Sequence, residues 1–239
     1  MFRVSTLKER ELFYKNEFSV PKVKSWFIEK PQLFALDVGT ETGIAKNSKD
    51  KRYIVNFKFN FKDLKRRLIK YLPEDVYYDR NKYKDFNYCF DKLKFDKFET
   101  QELAFDLDSD DLECEKCKDK DFIYTCENCL EKSKIHAYKL YNELKEDFNN
   151  IKIVYSGRGF HFHVFDKKAY SLSIKERELL NKKFKEFPID PWVSKGYIRL
   201  IRMPYTLNAL CSRIVTPVSI KEIKNFDFNS KEVLPKSLK

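Results

Sequence analysis

The stretch Ile151-Lys-Ile-Val-Tyr-Ser-Gly-Arg-Gly-Phe-His-Phe-His-Val-Phe165 carries two runs of β-branched and aromatic residues around a tight Ser-Gly-Arg-Gly turn. That pattern predicts a β-hairpin, and a hairpin needs a sheet to join. Upstream, Leu103-Ala-Phe-Asp-Leu-Asp108 alternates, so Leu103, Phe105 and Leu107 share one strand face and Ala104, Asp106 and Asp108 the other. Between these segments, Ala137, Leu140, Tyr141, Leu144 and Phe148 form one apolar stripe of a helix from about 130 to 148.

Working outward, residues 1 to 32 mix charge with Phe and Trp and read as helical segments that end near Pro31. Leu33–Asp37 and Arg52–Phe59 read as strands, neighbours in a hairpin, and Phe61, Leu64, Leu68, Tyr71 and Leu72 have helical spacing before Pro73. Residues 174 to 187 form a further charged helix, and Tyr197 to Met203 the last strand. The order of strand, helix, hairpin, helix and strand predicts an α+β sandwich, with helices on one face of a sheet and a ligand on the other. No repeat or interdomain linker is visible, so residues 1–239 read as a single domain.

The chain has 48 Lys and Arg against 37 Asp and Glu, a net charge of +11. Such a balance favours a polyanionic partner, because neutralised phosphates release counterions, although a Lys-rich composition also serves solubility. No signal peptide and no run of 18 apolar residues is present, which points to the cytoplasm and away from membranes. Four of the six Cys are clustered as Cys114-Glu-Lys-Cys117 and Cys126-Glu-Asn-Cys129. Two CxxC pairs let four thiolates close on one ion, so structural zinc is expected, with an iron–sulfur cluster or unmetallated thiols as alternatives. Cys89 and Cys211 stand alone and read as ordinary thiols.

Three further constellations bear chemistry. Asp106 and Asp108 point the same way from a strand; the plainer reading is a solvated strand end, and the other is a site for divalent cations. In Ser156-Gly-Arg-Gly-Phe-His-Phe-His163 a small-residue turn lets backbone N–H groups approach phosphate oxygens, with Arg158 and His161 as further donors; the plainer reading is a hairpin with surface histidines. In Ile189-Asp-Pro-Trp-Val-Ser-Lys-Gly196 and the following Tyr197-Ile-Arg-Leu-Ile-Arg-Met-Pro204, Asp190 is a third candidate carboxylate or a loop residue before proline, and Arg199 and Arg202 line a groove or an edge.

Taken in order, Asp106-Leu-Asp108, the Cys segment, Ser156-Gly-Arg-Gly-Phe-His161, Asp190-Pro-Trp-Val-Ser-Lys-Gly196 and Leu200-Ile-Arg-Met-Pro204 resemble the successive motifs of the archaeo-eukaryotic primases, above all the small catalytic subunit of DNA primase. The resemblance covers roughly residues 30 to 220. It implies a primase core with an RRM-like mixed or antiparallel sheet flanked by helices, and a zinc knob at about 112–130. It assigns Asp106, Asp108 and Asp190 to two Mg²⁺ or Mn²⁺ ions, and Ser156, Arg158, His161 and Arg202 to the triphosphate of an incoming nucleotide. Pro73-Glu-Asp-Val-Tyr-Tyr78 resembles a strand upstream of the first motif, where Asp75 matches a ribose-contacting acid. Asn208 stands where the family usually has His, so one phosphate contact is altered. Only 26 residues separate His163 from Asp190, a spacing expected of a minimal primase-polymerase from a plasmid, virus or CRISPR-associated operon.

The expected activity is template-dependent nucleotidyl transfer that starts or extends primers on single-stranded DNA from NTPs or dNTPs. Expected partners are the template, an RNA or DNA primer, and a primase large subunit, a helicase or CRISPR-associated proteins. Two rivals are a non-catalytic nucleic-acid-binding zinc module, which leaves the three aspartates unexplained, and a metal-dependent nuclease.

Overall fold

The computed structural model describes residues 3–39, 53–109, 112 and 126–238. Two helices lead, α1 (Leu7–Asn16), closed by a Thr6–Glu9 capping box, and α2 (Val20–Trp26). Strands β1 (Leu33–Asp37) and β2 (Ile54–Lys58) follow, then α3 (Phe61–Tyr71), which Asn60 caps and a left-handed Leu72 ends. Next come β3 (Asp75–Asp79), β4 (Asn81–Lys82), α4 (Phe86–Asp91), β5 (Thr100–Gln101) and β6 (Leu103–Asp108). After the long α5 (Glu127–Asp147) the chain makes the hairpin β7 (Ile151–Tyr155) and β8 (Gly159–Val164). It continues through α6 (Lys167–Tyr170), α7 (Ile174–Lys183), α8 (Pro191–Ser194), β9 (Leu200–Arg202), β10 (Thr216–Val218) and α9 (Ile220–Ile223). A final 3₁₀ turn, Lys236–Leu238, donates backbone N–H groups to Glu17, beside α1.

The strands form two four-stranded sheets, ordered β2-β1-β3-β9 and β10-β7-β8-β6, and a small β4-β5 ribbon, with antiparallel pairings throughout. The sequence pattern predicts one sheet with one open face; two sheets form instead. The α+β class and the hairpins at both ends of that prediction stand. The strand expected over 197–203 shortens to β9, the helix expected to reach 187 stops at Lys183, and β10 is an additional strand. β10 carries Pro217 opposite Val154 and lies at a sheet edge, where a missing N–H is tolerated. After α7, Phe184 and Phe187 turn into the core, so apolar contact outlasts helical geometry there.

The alternation of β6 explains how the sheets meet. Leu103, Phe105 and Leu107 join Phe160, Phe162, Leu140 and Leu144 in a core between the second sheet and α5. Ala104 belongs instead to the core of the first sheet, with Phe34, Leu36, Val76 and Ile201. Each buried Phe or Leu contributes on the order of 1.5–3 kcal/mol, so both faces of β6 are fixed apolar over its first half. Asp106 and Asp108 follow Ala104 on the face toward the first sheet, and the candidate site lies at that end of the strand.

Candidate active site

β6 and β8 pair so that Asp106 faces His161 and Asp108 faces Gly159. A Cβ on Gly159 would lie 2.0 Å from the Leu107 carbonyl oxygen, so only glycine allows the turn to return this close to the aspartate strand. Gly157 adopts φ +111°, and a Cβ there would meet Asn208 at 2.8 Å. The turn closes through Ser156 N–H to the Gly159 carbonyl at 2.9 Å and through Tyr155 Oη to the Gly157 carbonyl. Ser156 and Arg158 are thereby buried at the strand ends, and Arg158 Nη2 donates to Asp108 Oδ2 at 2.8 Å.

Asp190 comes to the same place through the backbone: its N–H donates to the Asp106 carbonyl at 2.8 Å. Its side chain caps α8 by accepting from Trp192 N–H at 2.8 Å. Burial raises the Asp190 carboxyl above its ordinary value, and the Asp106 charge raises it further. Burial also pushes the Asp106 carboxyl upward, but His161, Arg202 and Arg158 pull it below its ordinary value. His161 Nε2 lies 3.3 Å from Asp106 Oδ1, and the two histidines read as surface residues are in fact buried. The structure therefore brings Asp106, Asp108, Asp190, Ser156, Arg158 and His161 into one neighbourhood.

Whether these carboxylates suit divalent cations rests on their chemistry and charge balance. They are hard oxygen donors, the type that Mg²⁺ and Mn²⁺ prefer, and burial together with the Asp106 charge already holds Asp190 up. Among the described residues no three His, Cys, Asp or Glu side chains are already drawn together as a metal cage. Arg158 instead compensates Asp108 and His161 stands by Asp106. The donor set fits; Arg158 and His161 are the groups a cation must displace or join.

Two residues expected at the nucleotide are held by buried protein partners. Asp75 is fully buried, with Oδ1 accepting from Arg202 Nε at 2.9 Å and Ala209 N–H at 3.0 Å, and Oδ2 accepting from Tyr77 Oη at 2.8 Å. A carboxylate so engaged orients the Arg202 guanidinium. Burial works against the Arg202 cation, yet Asp75 wins and raises its pKa. Asn208 is likewise buried, donating from Nδ2 to the Ser156 carbonyl at 2.8 Å and accepting Leu210 and Cys211 N–H groups at Oδ1. It clamps the Ser-Gly-Arg-Gly turn.

Behind the site lies a buried polar layer that the sequence pattern does not disclose. Tyr78 Oη donates to Glu102, and His163 Nδ1 lies 2.8 Å from Glu102 Oε1. Burial lowers the His163 pKa despite the Glu102 hydrogen bond and charge, and Trp26 packs edge-on against the ring. Arg80, 1% exposed, donates to the carbonyls of Glu102, Val193 and Ile198, tying β6 to the α8 loop. Nothing in Asp79-Arg-Asn81 marks this arginine as different from the many on the surface.

Of the cysteine cluster, Cys126 caps α5 and Cys129 lies in its first turn, with Sγ atoms 3.6 Å apart. Cys114 and Cys117, like Asp110 and Asp111, lie outside the described residues. Cys89 and Cys211 are buried, and burial pushes the Cys211 thiol up to about 12.

Residues 105–189 match the family described as DNA primase small subunit, a span that holds Asp106, Asp108 and the hairpin turn and stops one residue before Asp190. A protein of Archaeoglobus fulgidus called "Uncharacterized DNA primase small subunit-like protein" is 38% identical over 246 residues, covering 94% of this chain and 88% of the relative. The chain belongs to the DNA primase small subunit family. Within the family, DNA primase small subunit PriS of Pyrobaculum calidifontis is 33% identical over 62% of this chain and 46% of its own length. PriS of Thermococcus sibiricus is 26% identical over 98% of this chain and 66% of its length. The chain thus spans about half to two thirds of these PriS proteins.

Proposed function

We propose that this primase family member is a template-dependent nucleotidyltransferase that makes or extends primers on single-stranded DNA from NTPs or dNTPs. The observation that carries the reading is the junction of Asp190 with β6. A residue 82 positions beyond Asp108 is fixed to Asp106 by a backbone hydrogen bond, beside a glycine turn that holds Arg158 against Asp108. Carboxylates and phosphate-binding cations so interleaved suit a polyanionic substrate only when divalent ions share the site.

Asp106, Asp108 and Asp190 would hold Mg²⁺ or Mn²⁺, which when bound lower the pKa of an attacking 3′-hydroxyl and offset charge in the transferring phosphate. Arg158 and Arg202 bind and orient the triphosphate, with Ser156 and His161 as further donors. Asp75 fixes the direction of the Arg202 guanidinium, and Asn208 keeps the turn in shape. The run β6-α5-β7-β8 supports an RRM-like core. The 3.6 Å approach of Cys126 and Cys129 supports one half of a zinc knuckle, completed by Cys114 and Cys117.

The rival nuclease reading uses the same carboxylates, so synthesis and cleavage must be separated directly. The chain is incubated with an end-labelled single strand, Mg²⁺ or Mn²⁺, and either all nucleotides or none. Products that appear only with nucleotides support the proposal; shortened strands without nucleotides identify a nuclease, and neither outcome at any metal concentration leaves the non-catalytic binding module.

A further inference from the structure

Trp192 is 62% exposed and Tyr197 is 51% exposed, and their ring centroids lie 5.4 Å apart at a tilt of 58°. Single exposed aromatics need no explanation, but this pair is mounted rigidly beside a carboxylate. Trp192 N–H is the donor that caps onto Asp190, two residues away. The turn between the rings is closed by Tyr197 N–H and Ile198 N–H to the Trp192 carbonyl, at 3.0 and 3.2 Å. From beneath, Arg80 holds the Val193 and Ile198 carbonyls, and Gln101 Nε2 holds the Gly196 carbonyl at 3.1 Å. The buried scaffold thus fixes the loop backbone while both rings stay at least half exposed, with Tyr197 Oη donating to Glu178 Oε1 at 3.4 Å.

We propose that Trp192 and Tyr197 form a stacking platform for an unpaired base of the nucleic-acid strand that crosses the carboxylate site. The inference rests on the polymerase reading above and names the residues that grip the strand. Charge favours this occupant: the chain carries +11, which attracts a phosphate backbone, and aromatic faces accept any base without sequence preference. Pro191 and Ile198 are exposed beside the two rings.

The other tryptophan, Trp26, is 4% exposed, so a change in intrinsic fluorescence on adding a strand reports chiefly on Trp192. The full chain is titrated without added Mg²⁺, Mn²⁺ or nucleotides, with oligothymidylate and with an abasic oligomer of equal length. Fluorescence anisotropy of the labelled oligomers gives affinities for the parent, Trp192→Ala, Trp192→Phe and Tyr197→Ala. Oligothymidylate should quench the parent's fluorescence. Trp192→Ala should weaken its binding on the order of tenfold, with Trp192→Phe restoring most of it and the abasic oligomer indifferent to all variants. Unchanged oligothymidylate affinity in Trp192→Ala and Tyr197→Ala, or absence of quenching, overturns the platform and leaves a protein partner as the reason for the exposed pair. Because no catalysis is read, failed primer synthesis with intact stacking rejects the polymerase reading alone, and intact synthesis with unchanged binding rejects the platform alone.

Discussion

At the scale of single residues, the site is a balance of charges that no one residue type announces. Asp190 is held up by burial and by Asp106, so its ionised form destabilises the fold, and that cost exists only above the ordinary carboxylate range. In metal-free buffer at neutral pH, Asp190→Asn should therefore raise the melting temperature, since Asn keeps the cap. The gain should vanish as acid protonates the parent's Asp190 in folded and unfolded chains alike. A melting temperature that falls at neutral pH would place Asp190 among the stabilising carboxylates and contradict the repulsion. For Asp75, Ala leaves the Arg202 cation without its buried partner, and denaturant titration should show a loss of about 3 kcal/mol. A stability change below about 0.5 kcal/mol together with an altered ribo- to deoxynucleotide preference would point to the sugar-contact role instead. The aspartates and the glycine turn were legible from sequence because spacing on a strand fixes direction. The occupations of Asp75 and Asn208 were not, since each depends on partners more than 50 positions away, Arg202 and Ser156 respectively.

At the scale of elements, the hairpins and long helices follow from periodicity, whereas the short pieces do not. α8 has four residues and β9 three, too few for a period to show, yet α8 presents Asp190 and β9 presents Arg202. What places α8 is Arg80, whose guanidinium gathers the carbonyls of Glu102, just before β6, of Val193 in α8 and of Ile198 beyond it, and Ser194 Oγ, which donates to Asn181 on α7 at 2.5 Å. Arg80→Met removes donors from three carbonyls, of which those of Glu102 and Val193 belong to buried residues. Chemical denaturation should show a loss of at least about 2 kcal/mol. Hydrogen exchange should localise the loosening to residues near 190–199. Uniform loosening without any preference for that loop would mean that Arg80 serves the core at large.

At the scale of the molecule, two sheets with separate cores meet along β6, and the functional groups collect where its apolar alternation gives way to carboxylates. An α+β fold was readable from the element order, but the division into two sheets was not. It depends on β3 choosing β1 and β9 as neighbours, pairings between segments far apart in the chain. Among the described residues no helix is long and apolar enough to cross a membrane. The central claim is that Asp106, Asp108 and Asp190 act together on a nucleotide that the hairpin turn binds. Its most direct measurement is primer synthesis on single-stranded DNA by Asp106→Asn, Asp108→Asn and Asp190→Asn, each checked by circular dichroism and thermal unfolding. Folded variants that each lose at least about a hundredfold in synthesis with Mg²⁺ or Mn²⁺ are the predicted result. Synthesis at the parent's rate in any folded single variant would contradict it.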